Sequence, residues 1–390
     1  MKVKMFFLMS VSAIFIFACN RSNTNKSGMG DLVEIDVSKK YPEKELYIQD
    51  IAEVEYIPLE TNSNTLMRSR ARIVHVSDNY IVASNTSDGD VFIFDGKGKS
   101  KFSFNHRGRG GMEYNWVRSI AFDEQAKEIF ISDGTKILVY AEDGKFKRTL
   151  ECPPNFSPEI YIFDDATLLA YDDFGLLTNR YSNKPYLFMS KKDGNINDTL
   201  DFHLSERVSN RLIIEVEVDG QTRPQPFTLA LTNNRSYGEN FLIADWSSDT
   251  IYRLTPKKEM EPVIIRTPPV QNSNPKILLS NELITDRFIF VLVGVMEIDK
   301  QRNSFPLSGL MYDFETGQWC DYKLINNDCH SLRIGFVPAI TPENIGICLL
   351  DTARLFELDE TGKLNGDLKQ ILKSLDEEDN PVLMKIKFNQ

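Results

Sequence analysis

Six times along the chain an apolar run of strand length leads through a tight turn into a second β-rich run. The segments are VFIFDGKGKSKFSF at 91–104, ILVYAEDGKFKRTL at 137–150, YLFMSKKDGNINDTLDF at 186–202, TIYRLTPKKEMEPVII at 250–265, LMYDFETGQWCDYKLI at 310–325 and RLFELDETGKLNGDL at 354–368. Their turns fall near Gly98, Gly144, Gly194, Lys258, Gly317 and Gly362, so the pattern recurs every 45 to 64 residues. That period is the one expected when each unit is a propeller blade. A further apolar run precedes each segment: YIVAS from Tyr80, IFISD from Ile129, TLLAYD from Thr167, FLIAD from Phe241, FIFVLV from Phe288 and GICLLD from Gly346. Weaker stretches such as VRSIAF from Val117 supply an innermost strand. The pattern predicts an all-β chain, a six-bladed β-propeller of four-stranded antiparallel blades.

Glycine at five of the six turns suits the positive φ that hairpin loops demand. The fourth unit, TPKKEMEP, has none and predicts a longer loop. Asp133, Asp245 and Asp351 end the second strand of their units, where a carboxylate accepts turn amides. Near the end, Leu368, Ile371, Leu372 and Leu375 are spaced as on a short helix, and Val382, Met384, Ile386 and Phe388 then alternate as on a strand. The strand-like stretches LVEIDV from Leu32 and VEYIPLE from Val54 are expected to join that strand in the last blade. Closure by both termini would remove an exposed edge.

The first residues read differently. Lys2 and Lys4 precede an apolar run from Met5 to Ala18 that stops at Cys19, too short to span a bilayer as a mature helix. The expectation is a lipoprotein signal peptide over 1–18, cleavage before Cys19 and lipidation of its sulfur. Residues 19–30 then form a flexible polar tether, and 31–390 a single propeller. With Lys2 and Lys4 removed from 45 basic residues, 43 remain against 56 acidic ones, a net charge of −13. Such a surface makes nucleic acid an unlikely partner. Past Cys19 the cysteines are Cys152, Cys320, Cys329 and Cys348, for which disulfides and buried thiols are both open.

Candidate chemistry is sparse. The loop NHRGRGGMEYNW at 105–116 joins the first two units and gathers His106, Arg107, Arg109, Glu113 and Tyr114, residues suited to an anionic or sugar-like ligand. Its glycines serve equally well in a tight turn; they make no phosphate loop, since no Lys-Ser/Thr follows. A longer insertion from Tyr171 adds Arg180 and Tyr181 as a stacking surface. The acid pairs Asp164/Asp165 and Asp172/Asp173 could serve hydrolysis, but among 56 acids such pairs arise by chance. The four histidines are scattered, and no metal-binding motif appears. A calcium ion assembled from distant loops at the central channel stays open.

The chain resembles the six-bladed β-propeller lipoproteins of the Bacteroidota, related in shape to NHL and TolB-like propellers. The likeness rests on Cys19 and the run before it, VEYIPLET at 54–61, RGRGGMEY at 107–114, the Asp-Gly-Lys turns and EEDNPVL from Glu377. Members often carry a Gly-Pro-Gly-Glu-Tyr type loop; here Gly111 and Met112 stand where proline and glycine are usual. The resemblance implies a cell-envelope protein held to the membrane by its lipid anchor. No acids closely follow Cys19, which favours the outer membrane facing the periplasm over surface exposure. The expected function is a binding or interaction module for an envelope protein or glycan. The alternative is a metal-dependent propeller enzyme of lactonase, lyase or hydrolase type.

Overall fold

The computed structural model describes residues 32–389 apart from 69–70, 174–183, 203, 205, 219, 230, 232–233, 300–301, 303 and 333. The leader, the tether, Cys19, Arg180 and Tyr181 lie outside the described residues.

Six sheets form a ring. Blade one comprises Arg72–Val76, Tyr80–Asn85, Asp90–Asp95 and Ser100–Phe104. Blade two follows with Ser119–Asp123, Glu128–Ser132, Lys136–Ala141 and Phe146–Glu151. Blade three holds Glu159–Ile162, Thr167–Tyr171, Tyr186–Ser190 and Ile196–Thr199. Blade four is built on Arg235–Tyr237, Asn240–Ile243, Thr250–Leu254 and Met260–Thr267. Blade five has Ile277–Ile284, Phe288–Val295, Leu307–Asp313 and Gln318–Ile325. Blade six pairs Ile345–Leu350, Val382–Phe388 and Ala52–Pro58.

The apolar layers explain why the ring closes. One cluster, with Val82, Ile93, Phe122 and Ile131, packs blade one on blade two, and Phe130, Val139, Leu168 and Leu187 join blades two and three. Phe188 meets Phe241 between three and four, and Leu242 meets Ile289 between four and five. Phe290 packs with Met384 between five and six, and Leu383 with Phe92 between six and one. Each sheet is therefore covered on both faces by its neighbours, which is why its central strands carry near-continuous hydrophobic runs.

Three expectations need correction. The stretch around Val33–Asp36 does not enter the last blade; it lies parallel along the rim of blade four, Val33 opposite Ile264. Glu43–Tyr47 adds likewise to blade five, Glu43 opposite Asp321. Buried Val33 and Ile35 alternating with polar neighbours suit any sheet edge, so periodicity alone does not choose the blade. Of the described N-terminal strands, Ala52–Pro58 is the one that joins the C-terminal strand.

The sixth hairpin is helical. Residues 352–360 form a helix (α1, Thr352–Glu360), with Asp351 as N-cap accepting the Arg354 amide at 2.9 Å, and a second helix follows (α2, Gly366–Leu372). ARLFELDE is rich in good helix formers and sets Leu355 and Leu358 on the core-facing side. Gly362, φ +67°, follows the helix C-cap, while Gly317, φ +66°, in the same Glu-Thr-Gly context, turns a hairpin. Both tasks need the left-handed region, so glycine marks the turn without saying which kind.

The fourth turn is not longer than the others. Lys258 itself adopts φ +64° and its amide donates to Thr255 O at 2.8 Å, the pattern that Gly98 makes with Asp95 O at 3.0 Å. In blade six an irregular stretch replaces a regular inner strand: Val337 N donates to Ile347 O, and Ile340 N to Val74 O of blade one. Cys152, Cys320, Cys329 and Cys348 are all free thiols. No helix among the described residues is long and apolar enough to cross a membrane.

Candidate functional site

The inner strands surround a cavity of about 700 Å³. Every blade contributes: Arg72 from one, Arg118 beside two, Glu159 and Asp173 from three, Asn234 and Arg235 from four, Glu282 from five and the 336–340 segment from six. Antiparallel alternation brings the blade-to-blade connections and the second-to-third-strand connections to the same end of these inner strands. At that end stands a two-stranded ribbon, Arg211–Val218 paired with Gln221–Thr228, whose base residues Arg211 and Thr228 also line the cavity.

Charge in the cavity is unevenly neutralised. Arg118 holds Glu159 at 3.3 Å and Asp173 at 2.6 Å, so that guanidinium is spent on two carboxylates. Burial pushes the Asp173 carboxyl up, with Arg118 opposing it. Arg235 and Glu282 are different. Each feels the other's charge, yet among the described residues no direct ion pair joins them. Burial drives Arg235 down to about 10, still cationic at neutral pH, and Glu282 up to about 7 despite that neighbour. Arg235 donates Nη2 to Val337 O at 3.3 Å, and its Nε is buried without a partner.

Below them lies a hydrogen-bonded layer. Tyr186 Oη donates to Asn234 Oδ1 at 2.9 Å, and Ala244 N donates to the same oxygen at 3.2 Å. Tyr171 stacks on Tyr186 at 4.7 Å and donates to Asp245 at 2.8 Å. The turn aspartates behave as their positions predict: Asp245 accepts Ser247 N at 2.8 Å and Asp133 accepts Thr135 N at 3.0 Å.

The glycine-rich loop does not line the cavity. His106 stacks on Tyr140 and its Nε2 meets Gly144 O at 2.8 Å; Arg107 donates to Ser87 O and Asn115 O. Glu113 accepts Gly110 N at 2.7 Å, and Tyr114, fully buried, donates to Gly89 O at 2.6 Å. A Cβ on Gly89, at φ +92°, would crowd Arg107, Asn105 and Tyr114 at 3.1–3.2 Å, so the glycine there serves close packing. Arg109, Met112 and Trp116 face solvent. Asp164 accepts Ala166 N at 2.8 Å in its own turn. Among the described residues no three His, Cys, Asp or Glu side chains gather as a metal-holding group.

Sequence reasoning found Asp173 but for another role, and missed Arg118, Asn234, Arg235 and Glu282. The signal was faint: a polar Ser-Asn-Glu run between the apolar ends of ILLSNELI, and Asn-Arg at the start of a three-residue strand.

Residues 32–387 match the model of a domain of unknown function, DUF4934, and the chain belongs to that family. A Bacteroides fragilis protein bearing the name of an exported protein is 18% identical, with a TM-score of 0.65, over 92% of this chain and 100% of that one. A DUF4221 family member from Bacteroides vulgatus is 8% identical (TM-score 0.46; 87% and 97% covered). Virginiamycin B lyase from Staphylococcus aureus is 11% identical (TM-score 0.33; 69% and 97% covered). At these values the first supports the propeller fold alone, and the other two carry no argument. No curated protein matches the chain.

Proposed function

We propose that the protein is a lipid-anchored binding propeller of the bacterial envelope that takes a ligand at its central channel. Export fits the name of the Bacteroides fragilis relative and the apolar run before Cys19. Anchoring at Cys19 and the 19–30 tether would hold the ring at the outer membrane, facing the periplasm. One observation carries the binding reading: the channel holds about 700 Å³ and presents a buried guanidinium nitrogen with no partner. Small-molecule sites commonly occupy about 300–1000 Å³ and hold a few convergent polar groups. A buried donor left unsatisfied costs roughly 1–3 kcal/mol, which a ligand acceptor would recover. The ligand belongs to an envelope glycan or protein, with Arg109, Met112 and Trp116 on the glycine-rich loop as rim contacts.

The test uses the mature protein. Mass spectrometry of its N-terminus is expected to show diacylated Cys19; an unmodified cysteine overturns the anchor. Envelope glycans and peptides are then screened by thermal shift against wild type and Ser236→Trp, which narrows the channel from an inner strand. A stabilising ligand lost in the variant supports the reading, and ligands indifferent to it overturn the channel as the site.

A further inference from the structure

We infer that the inner strands of blades four and five form a subsite for a small organic carboxylate that also bears a hydroxyl or ammonium group. Asn234 and Arg235 take the carboxylate, and Glu282 takes the neighbouring donor. The inference rests on the channel being a ligand site and adds the class of ligand.

Donor direction carries the argument. Ala244 N can only donate, so its bond at 3.2 Å fixes which side of the Asn234 amide is oxygen, and the Tyr186 hydroxyl donates to that same oxygen at 2.9 Å. Asn234 Nδ2 is thereby turned away, and it is buried with no partner. The next residue leaves Arg235 Nε equally unpartnered. Both side chains line the cavity and are more than nine-tenths buried, Asn234 at 3% exposure and Arg235 at 8%. Two orphaned donors in the wall of one cavity, one of them on a cationic side chain, call for an acceptor carrying negative charge.

A bare anion does not complete the site. Glu282 lines the same cavity, 8% exposed, and responds to the charge of Arg235. An acetate-like ligand would set its charge near that carboxyl with nothing to offer it. A neutral polyol would leave the Arg235 charge unanswered. A molecule with a carboxylate and an adjacent donor satisfies all three side chains at once. Arg118, a part-buried cation of the same wall, is already held by Glu159 and Asp173, so the open acceptor position belongs to blade four.

The experiment titrates the full mature protein calorimetrically with three probes, D-glucuronate, L-serine and L-tartrate. D-glucose and acetate serve as controls that lack one of the two groups. At least one probe is expected to bind ten times tighter or more than both controls. Arg235→Gln and Asn234→Asp should each weaken it at least tenfold. Asn234→Asp keeps an acceptor for Tyr186 and Ala244 while replacing the donor by a negative charge, so it carries the test if Arg235→Gln does not fold. Failure of all three probes, or binding that survives Asn234→Asp, overturns the subsite. A neutral sugar or peptide that binds and is lost in Ser236→Trp but not in Asn234→Asp sinks the subsite and leaves the channel reading intact. Indifference of every ligand to Ser236→Trp sinks both.

Discussion

Met384 lies directly opposite Tyr56 across the strand pair that joins the two ends of the ring, and Asn326 of the blade-five side touches both. The Asn326 amide nitrogen donates to Tyr56 Oη at 2.8 Å and contacts Met384 Sδ at 3.4 Å. The C-terminal strand is thus the middle of a three-stranded blade, paired on both sides and packed into the core between blades five and six. Ile386, fully buried there, is a sensitive probe of closure. Ile386→Ala is expected to lower stability by about 2–5 kcal/mol. Urea denaturation measures it; an unchanged midpoint would mean that the last strand does not seal the ring.

Asn380 fastens the approach to that strand. It is 1% exposed, accepts Met67 N at 2.7 Å, and donates to Glu60 O at 2.9 Å and Thr65 O at 2.5 Å. These bonds tie the EEDNPVL ending to the last residue of VEYIPLE and the segment after it. Asn380→Ala strands Met67 N and Thr65 O, while Glu60 O keeps the Thr65 hydroxyl at 3.0 Å; since an unsatisfied buried group costs roughly 1–3 kcal/mol, a loss of about 2–6 kcal/mol is expected. Thermal melts of the variant check this, and a drop of less than a degree would refute the assigned role.

How far the sequence discloses this molecule depends on the range of the interaction involved. Hairpins report themselves locally: Gly98 and Gly144 sit at positive φ between runs whose hydrophobicity is sufficient to mark them as strands. Lys258 takes the same conformation without the glycine, and Gly362 takes it at a helix end, so the local signal is neither complete nor unique. Which blade receives Val33–Asp36 is set by contacts more than 200 residues away, such as Val33 with Ile264, and no window of sequence contains that information. The channel is harder still. Arg118, Glu159 and Asp173 meet only because successive inner strands face one axis, and Arg235 reaches the vicinity of Glu282 the same way. The loop at 105–116 drew notice by composition, yet much of its polarity satisfies its own backbone and the adjoining turns.

Lys191 and Asp123 form a buried ion pair at 2.8 Å, with side chains only 6% and 8% exposed, linking blade three to blade two. Removing one partner leaves a desolvated charge behind, a loss of about 3–5 kcal/mol. Lys191→Met should therefore destabilise strongly. The double variant Lys191→Met/Asp123→Leu should recover most of the loss, because the penalty belongs to the uncompensated carboxylate. Chemical denaturation of the full double-mutant cycle decides it; strictly additive effects would show that the two charges do not act as a pair.

Glu282 makes the stability of the ring depend on pH. Its carboxyl titrates at about 7 in the folded protein, chiefly through burial, against an ordinary value of 4.5 that holds when the chain unfolds. Between those values the folded state binds the proton that the unfolded state has released, so stability falls as pH rises from 4.5 to about 7 and stays lower above. A shift of that size corresponds to roughly 3 kcal/mol at most. Glu282→Gln keeps the shape and removes the titration. The variant should gain on wild type steadily between pH 4.5 and 7, and denaturation series at half-unit steps read the difference directly. If the two proteins kept a constant gap across that window, the Glu282 carboxyl would not be titrating there and would have to be ionised throughout.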